Sequence, residues 1–142
     1  MANQTAVRFG YPATLVREYG HWLVLLREPQ PTLGSLILCA KSEATEFSAL
    51  TMEAHVEMGT VVRAIEQALK SAFAYDKINY LMLMMVDPNV HFHVIPRYAE
   101  SRSACGLSIP DPGWPALPQL GEAQALTPDQ RSALIAHISD YF

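Results

Sequence analysis

At 142 residues the chain has room for one domain with a proper core and too little for two. Half of it is hydrophobic and 17% is charged, a globular composition that excludes long disordered stretches. A net charge of −4 excludes a broad nucleic-acid surface, so any phosphate site must be local and built from a few donors.

Residues 1–13 contain the turn signal Gly10-Tyr11-Pro12 and little periodicity, and read as an arm that packs on the domain or on a partner. Leu15 to Glu18 reads as a short strand. His21-Trp22-Leu23-Val24-Leu25-Leu26 is a continuous apolar run ended by Arg27-Glu28-Pro29-Gln30-Pro31, hence a buried strand followed by a proline-stiffened loop. Leu33 to Cys39 forms the second strand of a hairpin, with Gly34 allowing close backbone approach or an unusual φ.

Ser42 is the predicted N-cap of a helix from about Glu43 to Phe73, with Glu43 and Glu46 near its positive end and Leu50, Ala54, Met58, Val61, Val62, Ile65 and Leu69 at helical spacing. A break near Ser48 would divide it in two. Ala74 to Lys77 is a turn, and the nearly all-apolar Ile78 to Val86 predicts a strand buried on both faces. Asp87-Pro88 then reverses the chain through a tight loop into an antiparallel neighbour. Ala99 to Gly121, rich in Ser, Gly and Pro, predicts an ordered but irregular excursion. Thr127, with Pro128 at the first helical position, opens a last helix through about Asp140.

Cys39 and Cys105 sit among apolar or small residues, the setting of inert thiols and not of a disulfide framework. The N-terminus lacks a signal-peptide core, and no apolar run approaches about 18 residues, so a cytoplasmic protein without a membrane partner is expected. His21, His55 and His137 read as structural.

The remaining two histidines lie in Asn89-Val90-His91-Phe92-His93-Val94-Ile95-Pro96-Arg97-Tyr98, a strand pattern. Alternation puts Asn89, His91, His93 and Ile95 on one face and Val90, Phe92 and Val94 on the other. A rise of about 3.3 Å per residue starts the two imidazoles about 6.6 Å apart, close enough to engage one small anionic group. Two imidazoles at this spacing can also be zinc ligands, but neither a Cys-x-x-Cys nor a His-Glu-x-x-His pattern supplies a third, and no metal or cofactor is expected. The structural alternative is a pair of half-buried histidines satisfied by backbone carbonyls.

This run resembles the signature of the histidine triad superfamily, His-φ-His-φ-His-φ-φ with φ apolar, with Asn89 in place of the first histidine. The resemblance covers about residues 14 to 115. It implies an α+β fold with an approximately five-stranded antiparallel sheet, one long helix and a C-terminal helix, all within one domain over residues 1–142. It also implies that His91 is the catalytic nucleophile and that Asn89 and His93 bind substrate beside it. Pro96-Arg97-Tyr98 and Asp111-Pro112-Gly113-Trp114-Pro115 resemble the bacterial branch that is similar to diadenosine tetraphosphate hydrolases, some of whose members also lack the first histidine.

The family's hairpin opens its second strand with Pro-x-x-Gly-His, here Pro31, Gly34 and Ser35. Ser35 therefore stands at a phosphate-contacting position, with a turn-end serine as the alternative. Arg27 falls where many relatives hold the ribose with Asp or Asn; an arginine clamps phosphate instead, or is simply solvated. Trp114 either walls a base pocket or covers the core.

The function implied is a nucleotide hydrolase or nucleotidyl transferase acting on a small-molecule nucleotide substrate, such as a dinucleoside polyphosphate or phosphoramidate, through a nucleotidyl-His91 intermediate. The alternative is a non-catalytic nucleotide-binding or regulatory protein of the same fold. Family members join their sheets, so a homodimer is expected.

Overall fold

The computed structural model describes residues 2–142. In chain order its elements are α1 (Gln4–Arg8), β1 (Leu15–Glu18), β2 (Trp22–Leu26), β3 (Leu36–Ala40), α2 (Met52–Phe73), β4 (Lys77–Leu81), β5 (His91–Arg97), β6 (Arg102–Ala104), β7 (Leu107–Ile109) and α3 (Pro128–Ser139). The two uninterrupted apolar runs, β2 and β3, pair as the expected hairpin, with Leu26 opposite Leu36 and Trp22 opposite Ala40. Every side chain in both is buried, since the sheet is covered on each face. β5 inserts between β3 and β4, giving an antiparallel sheet of order β1-β2-β3-β5-β4. This is the expected α+β architecture.

Alternation along the strands sorts the core into two layers. Trp22, Val24, Leu26, Leu36, Leu38, Ala40 and Val94 face α2 and α3, whose Val61, Ile65, Leu69, Leu134 and Ile138 close over them. Leu23, Leu25, Ile37 and Cys39 face the other way, where Ala6, Phe9, Tyr11 and Leu15 cover them. Gly34, at φ +85°, permits the hairpin to approach α2: a Cβ there would lie 2.5 Å from the Phe73 ring.

Three expectations are corrected. The N-terminal arm packs on the domain as expected, and it also holds the short helix α1, which Asn3 caps by accepting from Ala6 N–H. The long helix starts at Met52 under a Thr51 cap, not at Glu43 under Ser42. The intervening backbone is drawn toward β5 instead: Ala44 O accepts from Val90 N–H, Glu43 O accepts from Asn89 Nδ2, and a single 3-10 turn spans Phe47–Ala49.

The strand predicted over Ile78 to Val86 stops at Leu81 and forms a half-exposed edge. Leu83, Met85 and Val86 lie exposed in a long 82–90 connection that replaces the tight loop. Finally, the 99–121 excursion contains the ribbon β6–β7, turned at Cys105 and Gly106, both at positive φ as a two-residue hairpin turn requires. The α3 cap is as expected, with reciprocal bonds between Thr127 and Gln130.

Candidate functional site

β5 sets the two histidines side by side on the face away from α2. In register, His91 lies opposite Cys39 and His93 opposite Ile37, and the ring centroids are 5.4 Å apart. Nδ1 of His91 lies 2.7 Å from the main-chain oxygen of Asn89. A carbonyl can only accept, so the proton of the neutral ring sits on Nδ1 and the Nε2 lone pair is free.

His93 has the opposite arrangement. Arg27 Nε donates to its Nδ1 at 3.2 Å, which leaves the ring proton on Nε2 as a donor. Burial, the Arg27 charge and His91 together push the His93 pKa down to about 4, so the ring is neutral near pH 7. Arg27 also donates to Pro29 O, and burial lowers its own pKa from the usual arginine value. The pair thus combines an imidazole with a free lone pair and a neighbouring imidazole that donates.

Both rings are covered. His91 is 2% and His93 8% exposed, and the Phe9 ring stands over them at centroid distances of 5.4 and 5.9 Å. Asn89 precedes β5, and its side chain lies on the histidine face, as the alternation predicts, where it meets the arm. There Asn89 Oδ1 accepts from Thr5 N–H and Oγ1, and Nδ2 donates to Glu43 O. Ser35 is fully buried and is used within the hairpin loop, with Oγ 2.9 Å from Thr32 O and 2.8 Å from Thr32 Oγ1. It therefore occupies the turn-end position and does not reach the histidines. Among the described residues, no three His, Cys, Asp or Glu side chains gather to hold a metal ion.

The HIT domain family model matches residues 10–100, well over half of the chain. The chain belongs to the HIT domain family. Among solved structures, a histidine triad protein from Sinorhizobium meliloti superposes with a TM-score of 0.79 at 21% identity, covering 100% of this chain and 96% of that one. One from Marinobacter aquaeolei gives 0.76 at 23% identity over 99% and 96% of the two chains. A hypothetical histidine triad nucleotide-binding protein from Sulfolobus tokodaii gives 0.74 at 15% identity over 96% and 88%. At these identities the likeness is one of fold. None of the curated proteins compared matches the sequence.

Within this HIT domain the two segments singled out after the histidines are tied to each other. Arg97 Nε and Nη2 donate to Asp111 at 2.6 and 3.2 Å, Nη1 donates to Asn79 Oδ1, and Tyr98 N–H donates to Asp111 Oδ2. The Arg97 and Asp111 side chains are 5% and 0% exposed. Trp114 lines a cleft of about 910 Å³ beside edge strand β4, together with Asn79, Leu81, Arg97 and Leu117; neither histidine lines it. Sequence reading missed Arg27 as a neighbour of His93 and Phe9 as the cover. The cap at Asn3 was the one local sign that the arm has structure.

Proposed function

We propose that this HIT domain cleaves or transfers nucleotidyl groups through a covalent intermediate on His91. The observation that carries the reading is the bond from His91 Nδ1 to Asn89 O, which directs a free Nε2 lone pair away from the strand. In the first step Nε2 attacks the α-phosphorus in line; the N–P bond forms, and the P–O or P–N bond to the leaving group breaks with its electron pair. His93 Nε2–H donates to a phosphoryl oxygen, a role for which a neutral ring is suited at pH 7. Water then attacks phosphorus and breaks the N–P bond, which releases a nucleoside monophosphate and restores His91. Asn89 contributes through its main-chain oxygen, so loss of the first triad histidine leaves the nucleophile and its acceptor in place.

The substrate class we assign is a dinucleoside polyphosphate or a nucleoside phosphoramidate, on the likeness of Pro96-Arg97-Tyr98 and Asp111 to Pro115 to the diadenosine tetraphosphate hydrolase-like branch. We further assign residues 1–142 to one HIT-like domain that works in the cytoplasm as a homodimer. No helix of the described residues is long and apolar enough to cross a membrane.

A second reading, a nucleotide-binding protein without turnover, is favoured by one specific observation, the burial of both rings under Phe9. The test is a screen of diadenosine polyphosphates and adenosine phosphoramidates by chromatography of the nucleotide products. Wild type should turn over at least one, and His91→Ala should lose activity by at least about 10³-fold while its far-UV spectrum remains that of the folded chain, because no other group replaces a covalent nucleophile. Equal turnover in His91→Ala refutes the assignment. Nucleotide binding without turnover in wild type selects the second reading.

A further inference from the structure

Asn89 is bonded in two directions. Its main-chain oxygen holds His91 Nδ1 at 2.7 Å. Its side-chain oxygen accepts from Thr5 N–H at 3.2 Å and Thr5 Oγ1 at 3.0 Å, while its own N–H donates to Thr5 Oγ1 at 3.0 Å. The arm that carries Thr5 also carries Phe9, whose ring lies over both histidines. With His91 only 2% exposed, a nucleotide cannot approach Nε2 while the arm is down.

The arm's own stability is low. α1 has five residues, far fewer than a helix needs to persist alone, so its order comes from docking. Besides Thr5, the docking contacts are Asn3 Nδ2 donating to Ala40 O and Ser42 O, and Ala6, Phe9 and Tyr11 packed on Leu23, Leu25, Ile37 and Cys39. Arg8 adds an ion pair with Asp87 at 2.9 Å whose angle is too poor for a hydrogen bond and whose arginine is more than half exposed, so it contributes little. A terminal segment whose order comes only from docking opens locally below the global unfolding free energy.

We infer that Asn89 is a positioning residue that latches the N-terminal arm over His91 through Thr5, and that the arm must release for a nucleotide to enter. This rests on the nucleotidyl-His91 reading for what enters, not for the latch itself. An asparagine suits the position because it donates and accepts at once and does not titrate, so the latch holds equally at any physiological pH.

The test is the rate at which diethyl pyrocarbonate modifies each histidine of the full chain, read by peptide mass spectrometry, with exposed His21 as the internal reference. In wild type His91 should react at least about tenfold more slowly than His21. Thr5→Val, which keeps the shape and loses the hydroxyl bonds, should raise the His91 rate by about tenfold, while Thr5→Ser should stay within about twofold of wild type. An unchanged His91 rate in a folded Thr5→Val overturns the latch.

Should Thr5→Val not fold, hydrogen exchange of wild type decides. The Thr5 amide should exchange faster than that of Ile37, through an opening insensitive to low urea, and exchange only by global unfolding overturns the proposal. Neither readout needs turnover. A chain with a releasable arm and no activity therefore sinks the proposed function alone, and an active enzyme whose His91 ignores Thr5 sinks the latch alone.

Discussion

His93 is held neutral by its surroundings, and that has a consequence for stability as well as for chemistry. Its folded pKa of about 4 lies below the ordinary 6.5, so on acidification the unfolded chain takes up this proton first. The stabilisation is therefore complete above about pH 6.5 and is lost progressively as the pH falls toward about 4. Thermal melts across that window should show a falling melting temperature, and His93→Gln should flatten the fall; identical profiles would refute the assignment. Arg27→Gln removes a nearby positive charge and a donor, so it should raise the His93 pKa, which histidine NMR titration reads directly. The two histidines were legible in the sequence because strand alternation alone puts them on one face. Arg27 was not, because its contact with His93 depends on β3 lying between β2 and β5, an order that no local pattern encodes.

At the scale of elements, the apolar hairpin and the C-terminal cap were legible because each is specified by its own residues. The errors fell where a segment's hydrogen bonds go to distant partners. Glu43 to Leu50 has the composition for a helix start, yet its carbonyls serve Asn89 and Val90, so the helix waits for Thr51. Met82 to Val86 reads as strand by hydropathy, but it joins no strand; Met82 and Met84 turn onto the core and Leu83, Met85 and Val86 are left in solvent. The 99–121 excursion, by contrast, is anchored by Leu107 and Ile109 in the core and by one buried ion pair. Truncating Asp111 to Ala leaves Arg97 charged and nearly buried, with Asn79 Oδ1 as its remaining partner, and should cost about 3–5 kcal/mol in urea unfolding. Replacing both partners with apolar residues, Arg97→Met with Asp111→Leu, should recover much of that loss, since the penalty arises from the unpaired charge and not from the absence of the pair. A double variant as unstable as Asp111→Ala would show that the pair's worth is structural placement of the excursion.

The whole molecule presents its two faces unequally. α2 and α3 seal one with a deep apolar layer, whereas the histidine face is closed by a short arm, so His91 and His93 sit under a segment ordered only by its docking. The edge of the sheet is open in the same sense. β4 pairs only with β5, carries no proline, and stands beside an apolar hollow lined by Leu38, Met58, Val62, Tyr80 and Phe92. Beyond Lys77 at its start the strand is uncharged and half-exposed, an edge open to pairing with another chain, which a closed symmetric dimer satisfies. Light scattering at micromolar concentration should therefore give a mass near twice 15.7 kDa. Met58→Glu places a charge in the hollow on a residue only partly buried within the monomer, so it should yield monomers whose far-UV spectrum is unchanged. A wild-type chain that is already monomeric refutes the dimer, and a Met58→Glu chain that still dimerises moves the interface away from β4 and the α2 flank.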